Sequence, residues 1–418
     1  MNRLNAMVDL AAFKTLPSLL AIDRDDAPYS AKGKQLLRVV LVLAAVGSLA
    51  ILTALFKGHH VMGTTSEMPW GVLIATYIFF VATTSGLCLV GSLGHVFGFE
   101  RFEPIAKKAT FLSLVILLIG YSILVSELER PLRLLWTLLS PNPSSPIWWM
   151  GTLYGLYTAV LVVELYFQVA GDHRRGRIAG VVSIVAAVAA QSNLGAVLGL
   201  ARARPAWFGA FLPVYFIALA LMCGAALLIL AVWIEDLFTN DGRLRPKHRL
   251  LMDSLRALLA LFIAAVGFFT VWRVLGGLSG GHAQHAVTMA SLTGPMFVSF
   301  WLGEVFIGLV VPLVLLLGVA RHKTKALALA AAFSILGIFI MRYNLVVSGQ
   351  MLSLRPLTGR MGEQFSYAPS FKGNPAGFLS YTPSIIEIGV VVGAMAMGVL
   401  AYVAGSRVLR LHKDLHHD

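Results

Sequence analysis

Ten apolar runs, most of them longer than the roughly 18–20 residues that cross a hydrocarbon core, dominate this chain of 418 residues. They fall at 36–56, 70–98, 109–139, 147–169, 178–200, 207–234, 252–276, 288–319, 324–344 and 383–405. Lipid offers backbone N–H and C=O groups no partner, so runs of this length must be helices that satisfy their own backbone. Hydrophobic residues make up 58% of the chain and charged ones only 13%. A soluble core of this size would need about twice that charge to cover its surface. The predicted class is an all-α integral membrane protein of about ten transmembrane helices.

Loop charges set the expected orientation. Counting alternate segments, one side holds 22 Lys and Arg residues and the other holds 6. Cytoplasmic loops carry the excess of such residues, so both termini are expected on the cytoplasmic face. Residues 1–35 read as a cytoplasmic N-terminal arm that lies on the membrane surface. Residues 36–405 form the ten-helix domain, and 406–418 a cytoplasmic tail. The segment 345–382, rich in Gly, Pro, Ser and Tyr, is expected to be a long outer loop and a functional one.

The formal charge of +13 does not point to nucleic acid, because the basic residues are dispersed over short loops rather than gathered on one face. Cys88 and Cys223 each lie inside an apolar run. Two cysteines cannot ligate an iron–sulfur cluster alone. Of eleven histidines, only His95 falls within a span, so no facing pair is expected to hold a haem.

An ionisable residue inside a span costs about 2.5–3.5 kcal/mol on insertion scales and needs a reason. The third run ends in SELERPLRLLW, with Glu127 and Arg130 three residues apart and expected to pair on one helix face. Gln191 and Asn193 lie in the fifth run, Arg273 ends the seventh, and Arg342, Tyr343 and Asn344 end the ninth. Trp70, Tyr381 and Glu387 lie near the starts of inward-running spans. With the orientation above, these groups share one depth in the outer half and predict a polar pocket. His95, Glu164 and Glu304 are expected deeper or towards the inside, as a proton path from the cytoplasm.

On these residues the chain resembles the NrfD/PsrC family of membrane subunits, and in particular its ten-helix branch that includes the hydrogenase subunit HybB. The segment ELERPLRLLWTLLSPNPSSPIWWMG (127–151) looks like the family's DLGRP…PNPxSPMxWG signature, with Glu127 in place of an aspartate and Glu129 in place of a glycine. MPWG (68–71), TSG (84–86), QSNLG (191–195), Trp301 with Glu304, RYN…GQ (342–350) and YTPSxxE (381–387) also match. Relatives often carry histidine where this chain has Ala190.

The resemblance implies a multi-pass subunit of a bacterial or archaeal cytoplasmic membrane that binds no redox cofactor itself. Its substrate would be membrane quinone, menaquinone or ubiquinone. Its partners would be membrane lipid, a ferredoxin-like iron–sulfur subunit on the outer face, and further catalytic or multihaem cytochrome subunits. Glu127 would exchange the proton, with Arg130 holding it ionised. Trp70, Gln191, Asn193, Arg342, Tyr381 and Glu387 would surround the quinone, and Arg202, Arg204 and the 345–382 loop would offer docking surfaces. The competing reading is a secondary transporter, whose broken helices would meet at the bilayer midplane.

Overall fold

A computed structural model describes residues 31–128, 130–239, 244–321, 323–352 and 378–409. Most of the N-terminal arm, most of the long loop and the extreme tail lie outside the described residues; residues 31–35 already belong to the first helix. Twelve helices are described: α1 (Ala31–Lys57), α2 (Val72–His95), α3 (Ala106–Glu127), α4 (Leu134–Leu139), α5 (Pro146–Ala170) and α6 (His173–Gly199); then α7 (Phe211–Thr239), α8 (Pro246–Leu278), α9 (His282–Leu292), α10 (Ser299–Leu317), α11 (Thr324–Ser348) and α12 (Ile385–Val408). All except the short α4 and α9 are long and apolar enough to cross a membrane, which gives ten spans.

Two spans differ from the hydropathy reading. The third run does not continue to 139, because α3 stops at Glu127 and Leu128 turns extended at φ −77°, ψ 122°. Pro131 then opens a single 3-10 turn before α4, and its ring forbids a continuous helix through this point. The eighth run does not start at 288. Thr293-Gly294-Pro295 separates α9 from α10, so the membrane helix begins at Ser299.

Helix α2 is the axis of the molecule, apolar on all sides and buried along nearly its whole length. It packs against α3, α6, α7 and α11. Small residues permit the closest of these approaches. A Cβ at Gly86 would stand 1.7 Å from the Ala220 carbonyl oxygen, and one at Gly224 would stand 2.2 Å from the Gly86 carbonyl carbon. Helices α2, α3, α5 and α6 thus form one half of the bundle, and α7, α8, α10 and α11 the other. The α1–α12 pair lies outside and packs on α3, crossing where a Cβ at Gly47 would come 1.9 Å from the Gly393 Cα.

The chain reverses at each connection, so the bundle has two ends. One gathers the C-termini of α3, α8 and α11 with the N-termini of α2, α10 and α12; it is called the Glu127 end below. The other holds His95 and is closed by hydrogen-bonded side-chain pairs. Lys108 meets Glu235 at 2.7 Å, and His248 meets Asp236 at 2.9 Å across the α7–α8 connection. Helix α1 starts and α12 finishes at this His95 end.

Candidate functional site

Glu387 and Tyr381 form a knot at the start of α12. Ser384 accepts the Glu387 backbone N–H at 3.2 Å, and Glu387 accepts the Ser384 N–H at 2.7 Å. This reciprocal capping box follows from the S-x-x-E spacing. The same carboxylate accepts the Gly63 N–H at 2.8 Å and the Tyr381 hydroxyl at 2.6 Å. That hydroxyl accepts the Val72 N–H at 2.8 Å, which ties α12 to the first turn of α2. Burial and the bond to Glu387 push the Tyr381 phenol well above its ordinary range. The knot is fully bonded within the protein.

Trp70, Gln191 and Asn193 are also engaged. Trp70 is half-buried, stacks on Trp207 with ring centroids 5.4 Å apart, and exchanges two backbone hydrogen bonds with the Gln350 side chain at 2.8 and 3.1 Å. Gln191 is buried, accepts the Tyr154 hydroxyl at 3.3 Å and donates to the Phe216 carbonyl at 2.9 Å. Asn193 donates to the Pro146 carbonyl at 2.9 Å, fastening α6 to the start of α5. Arg204 donates to the carbonyls of Glu67 and Leu352 at 3.2 Å each, clamping two connections together, whereas Arg202 is exposed.

Two buried ionisable side chains at this end of the bundle stand apart from that bonded frame. Glu127 is 5% exposed, and neither carboxylate oxygen has a hydrogen-bond partner. Arg342 is fully buried, and none of its three guanidinium nitrogens has a partner. Its cation lies over the Phe216 ring, 3.7 Å from the centroid, a contact that offsets part of the cost of burying the charge. Buried polar groups are nearly always bonded to protein or ordered water, so each of these two partnerless groups is a candidate to meet a ligand. The expected Glu127–Arg130 pair does not form. The helix ends between them, so they share no helix face, and Arg130 is exposed.

Glu304 is not in the inner set. It pairs with Arg273 through Nη2, accepts from the Asn344 amide at 3.3 Å, and so belongs to the Glu127 end. The later start of α10 explains the shift, since Glu304 lies in its first turns. Those turns are π-helical from Ser299 to Val310, a winding often found at functional sites. The Arg273 guanidinium lies over the Tyr215 and Phe300 rings at 5.6 and 5.8 Å. This cluster lines a cavity of about 570 Å³ between α7, α8, α9, α10 and α11.

At the His95 end, His95 Nε2 lies 2.8 Å from Glu164, which is 1% exposed. Glu164 also accepts from Thr110 at 3.2 Å and Gln168 at 3.0 Å. His95 and Gln168 line a second cavity of about 450 Å³ that opens at this end. Between the two ends, Tyr157 and Tyr154 follow on α5 with ring centroids 6.4 Å apart. Tyr154, Phe216, Trp207 and Gln350 are residues that the hydropathy and motif reading does not single out as site groups. Only Gln350 carried a signal, as the end of the RYN…GQ match.

Comparison with known proteins agrees with this architecture. Residues 60–353 match the family described as "Polysulphide reductase, NrfD". The chain is 24% identical to a selenate reductase subunit of Mesobacillus selenatarsenatis, over 87% of this chain and 91% of that one. It is 24% identical to the Hdr-like menaquinol oxidoreductase integral membrane subunit of Archaeoglobus fulgidus, over 90% and 94%. It is 27% identical to a membrane subunit of Halobacterium salinarum named for a dimethyl sulfoxide reductase, over 92% and 93%. The protein belongs to the NrfD family and is a multi-pass membrane subunit of the kind found in oxidoreductase complexes.

Proposed function

We propose that this NrfD-family chain is the quinone-reactive membrane subunit of a respiratory oxidoreductase complex, with the quinone ring handled at the Glu127 end. The observation that carries this reading is Glu127 itself, a buried carboxyl with both oxygens unpaired. Oxidising a quinol releases two electrons and two protons, and reducing a quinone takes up the same. A carboxyl without an ion-pair partner can accept or give a proton without first breaking a bond, as a general acid–base requires. Arg342 supplies unpaired donors for a ring oxygen, with Gln191 close by through Tyr154. Trp70, Asn193, Tyr381 and Glu387 hold the helix ends that frame this place.

The loop charges orient the Glu127 end to the outer face. The electrons then pass to or from an iron–sulfur subunit docked there, with the exposed Arg202 and the loop beyond Leu352 as contact surface. Names of relatives support the quinone-linked reading alone: one is called a menaquinol oxidoreductase subunit, and two are called reductase subunits. His95 and Glu164, at the opposite end, form the cytoplasmic part of a proton path.

Tagging the chain in its native membrane and purifying it under mild detergent tests the reading. Co-purification with iron–sulfur and catalytic subunits, together with quinol-dependent electron transfer, is expected. A lone oligomer without quinol activity overturns it and favours a transporter.

A further inference from the structure

We infer that the cavity between α7, α8, α9, α10 and α11 is a second binding site for a quinone-type ring, distinct from the one handled near Glu127. The identification of the ring rests on the proposed quinone function; the site rests on its own geometry. At about 570 Å³ the cavity lies inside the range of small-molecule sites, roughly 300–1,000 Å³. Its walls carry Trp207, Phe269, Trp272 and Phe300, flat faces suited to a planar ring. Seven polar side chains line it; besides Gln284, Thr288, Ser291 and Ser348 these are Arg273, Glu304 and Asn344, which are bonded to one another.

The chemistry of those three selects the ligand. Arg273 and Glu304 neutralise each other, so the cavity has no free charge with which to hold a phosphate headgroup. Arg273 spends only Nη2 on Glu304, and its remaining N–H groups are donors that a ligand oxygen can meet. The ligand that fits is therefore neutral, planar and equipped with acceptor oxygens, which describes a quinone. Trp272, one of the lining residues, is exposed, as are Phe268 and Leu275 on the same helix, so a ring entering from lipid would pass α8. Helix α9 covers the top, held by Gln284, which donates to the Pro205 carbonyl at 2.8 Å. This cavity is lined from α7–α11 and touches neither Arg342, on α11, nor Glu127, at the end of α3.

A photoreactive azido-naphthoquinone applied to the intact complex in native membranes, with adducts mapped by mass spectrometry, provides the test. Adducts are expected in the peptides spanning 268–292. Gly276 lines the cavity, and a Cβ there would meet nothing within 4 Å, so Gly276→Phe adds bulk to the lining without a clash at its Cβ. It should lower those adducts roughly tenfold, and Ser291→Phe, from α9, should do the same. Absence of adducts in the unmodified protein, or adducts unchanged in both variants, overturns the inference. So does equal labelling by an azide of the same length that lacks carbonyls, which would show a lipid crevice. Failure here with quinol turnover intact removes only the second site; loss of both removes the quinone reading as well.

Discussion

The Tyr381 hydroxyl donates to Glu387 at 2.6 Å while accepting the Val72 N–H at 2.8 Å, so one phenol joins the start of the last span to the start of the second. Replacing it by Phe strands a buried carboxylate oxygen and a backbone N–H. Tyr381→Phe should cost about 1–3 kcal/mol, read as a lower unfolding midpoint in detergent. An unchanged midpoint would show that the knot is not a structural tie.

The same hydroxyl gives a pH dependence. Its proton is held more tightly in the folded chain than in the unfolded one, where the ordinary value is about 10. Stability linked to it is therefore complete below about pH 10 and is lost as pH rises beyond that. Unfolding midpoints should fall more steeply above that pH for the unmodified protein than for Tyr381→Phe. Parallel slopes would contradict the assignment.

Arg273 and Glu304 should behave as a unit. Arg273→Met alone leaves Glu304 buried without its partner, at a cost of about 3–5 kcal/mol. Combining it with Glu304→Gln should recover most of that loss, because the desolvation penalty disappears with the charge. A double variant no more stable than the single one would mean that the two groups do not depend on each other.

The ten spans were legible because hydropathy and loop charge are summed over many residues. The breaks at 128–133 and 293–298 were not, since the apolar segments Leu134–Leu139 and His282–Leu292 mask them; the marks were Pro131 beside its charged neighbours and the Gly294–Pro295 pair. That error carried into the site. Extending the third run through 139 put Glu127 and Arg130 on one helix, and starting the eighth at 288 put Glu304 too deep. The partners of Gln191, Asn193 and Arg342 were beyond reach for another reason. Spans such as α2 are apolar on every side, so periodicity does not say which face meets which neighbour.

The opposite end yields its own test. If Glu164 and His95 feed protons from the cytoplasm, Glu164→Gln should lower quinol-driven proton translocation in sealed vesicles roughly tenfold while electron transfer continues. Glu304, paired with Arg273 at the other end, should not share that effect. Equal translocation before and after Glu164→Gln would remove the residue from the path.

The central claim is that Glu127 exchanges the proton of a quinone. Steady-state quinol-linked turnover of the purified complex carrying Glu127→Gln, a change that keeps the shape and removes the acid, tests it directly. Turnover should fall by roughly two to four orders of magnitude with the subunits still assembled. Turnover equal to that of the unmodified complex would contradict the account.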